Sequence, residues 1–351
     1  ERSVFMQALW PRWTMQPMEL IPLIETTRGG TRESVFFGAV AVVDAGGRVV
    51  ARAGDPHWHS FTRSTLKALQ ALPFVHGGGA RAFGLQAPQL ALLCASHGGE
   101  PMHVEQVDTI LARASVGYQR LQCGCHMPYY VEQGVGPAPA QFDERHHNCS
   151  GKHSGFLACC VHHGWSLDTY LDPSHPLQQA IRRDVAAAAG LREDDLSMGI
   201  DGCSAPNYAM PLSALARAYA RIASGRADSQ FGDAFEALGD AMRTHPELVS
   251  GTHRSDAALM RAGGGDWISK VGADGVQVIA SRSRRQALAI KISDGSKPAL
   301  FAATVEALDQ LGWLDDARRA ALEPWRAREI RSVRGAVVGE RRPVFRLSTA
   351  A

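Results

Sequence analysis

The 351 residues are 45% hydrophobic and 21% charged, and 37 Lys plus Arg against 35 Asp plus Glu leave a formal charge of +2. That size suits a soluble globular protein of one large domain or two smaller ones. So even a balance supplies no positive field to gather phosphates, which excludes nucleic acid and membrane surfaces as partners recognised by charge.

Residues 1–18 carry two tryptophans beside Pro11 but lack the compact apolar stretch of a signal peptide. They are expected to form an extension outside a single domain spanning 19–351. Regular structure is expected from about Leu20. The Val-rich runs 38–44 and 48–52 flank Ala45-Gly46-Gly47 and read as a hairpin. Helical periodicity follows at 64–75, 100–114, 153–162, 176–189, 211–223 and 231–244, many of these with Pro or Ser/Thr/Asp at their starts. The Gly/Pro stretch 134–140 reads as a surface loop. Strands return at 267–271, 275–281 and 287–293, then helices at 297–311 and 315–325, and a last strand near 329–338. Strands from both ends enclosing a helical middle, about 100–245, imply an antiparallel sheet assembled from the two termini. The predicted class is therefore α+β.

Seven cysteines are an odd number in a chain too large to need disulfide staples, so reduced thiols and a cytoplasmic location are expected. No run approaches the roughly 18 apolar residues of a membrane span. The lysines are only five, Lys67, Lys152, Lys270, Lys291 and Lys297, among many arginines. Each therefore poses a choice between coding bias and a need for an amine that can lose its proton.

Four segments carry chemistry. In Arg63-Ser64-Thr65-Leu66-Lys67, serine and lysine three apart share a helix face, and a buried lysine there can serve as base for a serine nucleophile; alternatively Ser64 is a helix cap. Asn148-Cys149-Ser150-Gly151-Lys152-His153 crowds three capable side chains into five residues, or is a capped helix start. Gly199-Ile200-Asp201-Gly202-Cys203 reads as a strand end turning sharply, and Cys94-Ala95-Ser96-His97 as a loop before a helix. Cys123-Gly124-Cys125-His126 could bind a metal but lacks a matching second pair. Neither a phosphate-binding glycine loop nor a zincin motif is present.

Taken in order, Glu25-x-x-Arg28-Gly29, Arg63-Ser64-x-x-Lys67, Cys94-Ala-Ser-His97, Leu121-Gln-Cys-Gly124, Asn148 to His153, Gly199 to Cys203, His245-Pro246 and Lys291-Ile-Ser-Asp-Gly295 resemble the Rhizobium etli-type L-asparaginase family, also called the asparaginase II family. The resemblance implies a fold like that of serine β-lactamases, penicillin-binding proteins and glutaminases. It implies Ser64 as nucleophile, Lys67 as its base, and Ser96 with Lys270 as a second Ser-Lys pair. Val271 stands where penicillin-recognising enzymes need a hydroxyl residue, which counts against β-lactam chemistry. The resemblance further implies zinc held by Cys149, Lys152 and Cys203, and recognition of L-asparagine by Arg63, His153 and Asp201, in a homodimer. A glutaminase or D-peptidase using the same apparatus is the alternative among enzymes. A catalytically silent thiol-zinc sensor is the alternative outside them.

Overall fold

The computed structural model describes residues 19–349; the extension expected at 1–18 lies outside them. Two antiparallel sheets organise the chain. The larger holds nine strands, with the path β10-β11-β1-β2-β9-β8-β7 formed by β1 (Ile21–Arg28), β2 (Thr31–Asp44), β7 (Trp267–Gly272), β8 (Val276–Ser281), β9 (Gln286–Ile292), β10 (Glu329–Arg331) and β11 (Val337–Pro343). Beside that path β3 (Val49–Ala53) pairs with β2 and with β12 (Ser348–Thr349). The smaller sheet, β4-β6-β5, is made of β4 (His59–Phe61), β5 (Ser197–Ile200) and β6 (Pro206–Pro211).

The α+β class and the sheet built from both ends of the chain are thus present. β2 is the seam, pairing residue by residue with β9 from Gly38↔Ile292 to Asp44↔Gln286. Its centre is apolar on both faces because both are covered. Ala39, Ala41 and Val43 face one core with the helix Leu212–Ser224, whereas Val40 and Val42 face another with the helix Lys297–Gln310. Small side chains dominate the first face, and alanines 216, 220 and 223 of the helix lie against them in the same core. Close approach of helix to sheet follows from that lack of bulk.

Two expectations need correcting. The helical middle contains β5 and β6, so it is not purely helical; β5 is the strand end read at Gly199, whereas β6 begins and ends with proline, which masks a strand pattern. The last strand is a hairpin, β10 with β11, and β11 continues to Pro343, where it pairs with β1. Among the described residues no helix is long and apolar enough to cross a membrane.

Candidate active site

The turn between β4 and the following helix places the first serine. Arg63 has φ +50, a left-handed conformation that costs a non-glycine residue free energy. Asn207 of β6 holds it there from both sides: its Oδ1 accepts the Arg63 backbone N–H at 3.0 Å, and its Nδ2 donates to the Arg63 carbonyl at 3.0 Å. Ser64 therefore enters a 3-10 turn, Arg63–Leu66, which continues as the helix Lys67–Gln70. The residue preceding this turn is Thr62, so the Ser64 hydroxyl is not spent as a cap.

Ser64 and Ser96 line one cavity of about 470 Å³, together with Tyr129, Asn148, Arg254, Val271 and Asp274 among others. The Ser96 hydroxyl is buried without a hydrogen-bond partner. The Lys67 backbone N–H donates to the Ser64 carbonyl, but no hydrogen bond joins the two side chains directly. Lys67 is 1% exposed, and its Nζ donates to the carbonyls of Ala95 at 2.6 Å and Asn148 at 3.1 Å, the neighbours of Ser96 and Cys149. Burial pushes its pKa down, with the Cys149 and Cys203 sulfurs opposing and the Lys152 ammonium assisting. A neutral amine has two N–H groups and one lone pair. With both N–H groups taken by carbonyls, the lone pair is what remains for a proton.

Lys270 is fully buried on β7, but its partner is not Ser96. Its Nζ donates to Asp256 Oδ2 at 3.2 Å, and Asp256, equally buried, also accepts from Ser269 Oγ at 2.8 Å, the Val271 amide at 3.0 Å and Gln277 Nε2 at 3.3 Å. Burial lowers the Lys270 pKa to about 8 against the pull of Asp256. Sequence reading missed Asp256, because an acid 14 residues before the lysine on a separate helix leaves no spacing signal.

The second constellation forms where the helix Ser150–His163 meets the turn after β5. Gly151 and Gly155 permit this helix to lie against Leu92 and Leu93: a Cβ at Gly151 would sit 2.5 Å from the Leu92 carbonyl oxygen. Lys152 Nζ donates to Cys203 Sγ at 3.0 Å, and Cys149 is close enough to hydrogen-bond the same sulfur. Donation from the Cys149 thiol is the largest influence holding Cys203 toward the thiolate, with Lys152 adding to it. Burial alone would lower Lys152, and the two sulfurs outweigh it and raise its pKa.

His153 is fully buried and does not line the serine cavity. Its Nδ1 shares a hydrogen bond with the Tyr170 hydroxyl at 2.8 Å, its Nε2 has no partner, and burial pushes its pKa down to about 4. Arg63 and Asp201, expected to grip substrate, grip each other at 3.0 Å, and Arg63 also pairs with Asp274.

The remaining motifs disperse. Cys123 is buried and donates weakly to the Glu144 carbonyl at 3.5 Å, Cys125 is exposed, and His126 contacts Asn148 at 3.2 Å. All seven cysteines are unpaired. Among the described residues no group of three or more His, Cys, Asp or Glu side chains is arranged to hold a metal ion. Lys291 is structural, donating to the carbonyls of Ile292 at 2.9 Å and Asp274 and lying over the Trp58 ring. Lys297 is exposed at the rim of the serine cavity.

No curated protein matches the sequence. The family model described as L-asparaginase II matches residues 24–343, a span that holds both serines, the buried lysines, the sulfur cluster and nearly all of both sheets, and the chain belongs to that family.

Proposed function

We propose that the protein hydrolyses the side-chain amide of L-asparagine to L-aspartate and ammonia, with Ser64 as nucleophile. The observation that carries this reading is the buried Lys67 amine, its N–H groups committed to two carbonyls, beside a cavity lined by Ser64 and Ser96. Lys67 takes the Ser64 proton as Oγ attacks the carboxamide carbon. The Ser64 backbone N–H, at the open start of its helical turn, is available to the developing oxyanion. Ammonia leaves with the proton returned to it, and water then cleaves the β-aspartyl ester, restoring Ser64.

Ser96 and Lys270 are suited to pass a proton, Ser96 because its hydroxyl is uncommitted, Lys270 because burial brings its pKa to about 8. Asp256 positions that lysine. Asp201 is assigned to the substrate's α-amino group, which would compete with Arg63 for its oxygens. His153, behind the Cys203 sulfur, acts on substrate only through that cluster.

The sulfurs of Cys149 and Cys203 are donors of the kind zinc takes, the Lys152 amine would add a nitrogen once deprotonated, and the buried His153 Nε2 next to Cys203 fits an outer shell around them. The residues present therefore fit zinc. Bound there, zinc would lower the amine's pKa enough for it to ligate and would supply a fixed positive charge that orients substrate. A fold akin to serine β-lactamases and glutaminases, a homodimer and a cytoplasmic location complete the proposal; the exposed Phe61, Met198 and Ile200 of the small sheet offer apolar surface for dimer contact.

Ammonia release from L-asparagine tests the reading. Ser64→Ala is expected to abolish it with the melting temperature unchanged, and Lys67→Arg to abolish it because guanidinium cannot act as a base. Full activity in Ser64→Ala overturns the assignment.

A further inference from the structure

One strong cation in the cavity has no task in the mechanism above. Arg254 lines the same cavity as Ser64 and Ser96. Its side chain makes no hydrogen bond or ion pair among the described residues, and its Nη1 is buried with no partner. A buried donor without an acceptor is costly, and a charged one more so. Such a group is stable where a ligand supplies the missing acceptor.

The surroundings fix this side chain rather than neutralise it. The Thr252 backbone N–H and hydroxyl donate to the two oxygens of Glu100 at 3.0 and 2.6 Å, which anchors the segment and occupies the nearby carboxylate. The Arg254 carbonyl accepts from the Ala258 amide, opening the helix Ser255–Ala262. Its guanidinium carbon lies 5.2 Å from the centre of the Tyr129 ring. Stacking on an aromatic face engages the flat side of a guanidinium and leaves its N–H edge free for a bidentate acceptor. Arg63 differs, since Asp201 and Asp274 already cancel its charge. Lys297, also on the cavity wall, is exposed and screened by solvent.

We infer that Arg254, rather than Arg63, receives the α-carboxylate of the substrate, so that the site selects amides bearing a free α-carboxylate. The inference rests on the asparaginase reading and names the group that makes it specific for an amino acid.

The test compares L-asparagine with 3-aminopropanamide, which keeps the amide and the amine and lacks the carboxylate. Arg254→Gln is expected to raise KM for L-asparagine about 10- to 100-fold, the range of a lost hydrogen bond to a charged group, with a smaller change in kcat. The inhibition constant of 3-aminopropanamide is expected to stay within about twofold of wild type, since that compound has nothing to lose. Arg254→Lys, which keeps charge without the fork, falls between and stands in if Arg254→Gln fails to melt cooperatively. An unchanged KM, or an equal loss for both compounds, overturns the assignment of Arg254 while leaving the asparaginase reading intact. Wild-type protein that releases no ammonia from L-asparagine overturns that reading, and the assignment of Arg254 with it.

Discussion

Replacing Asp256 by asparagine removes one charge from a fully buried pair and preserves its shape. In the wild type Lys270 keeps its proton below about pH 8, because the Asp256 carboxylate offsets burial and the nearby basic groups Lys67 and Arg254. With that carboxylate gone nothing opposes those influences, and a buried lysine without a counter-ion titrates at about 5–6. Between about pH 6 and 8 the wild-type fold then holds a proton that the variant fold has released, while both unfolded chains hold it. Variant stability rises with pH across this window and wild-type stability, as far as this group contributes, does not. The gap between them narrows by about 1.4 kcal/mol per pH unit, from about 2.5 kcal/mol at pH 6 toward zero at pH 9. Weaker hydrogen bonds from Ser269, Val271 and Gln277 add a pH-independent cost of about 1–2 kcal/mol. Urea unfolding at pH 6, 7.5 and 9 measures the gap. The same comparison in a Lys270→Met background should retain only the constant part. A gap that is the same at all three pH values refutes the reasoning, because it means the lysine keeps its proton without its partner.

Chelation or Cys149→Ser is expected to raise KM for L-asparagine more than it lowers kcat, and elemental analysis to find one zinc per chain; an unchanged KM contradicts an orienting role for the metal. His103 is stacked on the His97 ring at 4.8 Å, its Nε2 donates to the Glu247 carbonyl at 2.9 Å, and it faces Glu100 and Arg254. Burial pushes its pKa down to about 4, so between pH 6.5 and 4 the unfolded chain binds a proton that the fold does not, and stability falls by about 3 kcal/mol as pH falls through that window. His103→Gln should flatten that part of the curve, and an unchanged slope would show that His103 does not carry it.

Legibility from sequence followed the range of the interaction. Ser64 and Lys67, or Cys149 and Lys152, sit three apart on one helical turn, so their association is local and visible. Cys203 and Asp201 were visible because Gly202 marks the turn after β5. Asp256 was not, because it reaches Lys270 only through the packing of a helix against β7. Asn207, which holds the Arg63 backbone, likewise acts across 144 residues. β1 escaped notice because its buried Glu25 and threonines imitate a surface segment, although Glu25 is neutralised by Arg32 and Arg342 from neighbouring strands. The lysine count was the most useful global signal. Four of the five lysines are half-buried or more with lowered or partner-raised pKa values, although Lys291 proves to be structural rather than reactive.

The pairing of β2 with β9 joins residues about 250 positions apart, and Ser64 and Lys270 both lie within that gap, one near each end. During synthesis the Ser64 segment emerges long before the strands that complete its surroundings. Until β9 arrives, β2 is an open apolar edge, the kind of surface that seeks other strands. Such long-range closure makes folding slow. It also leaves the cavity of Ser64 incomplete until nearly the whole chain has been made, so that an interrupted chain presents a serine with no site around it.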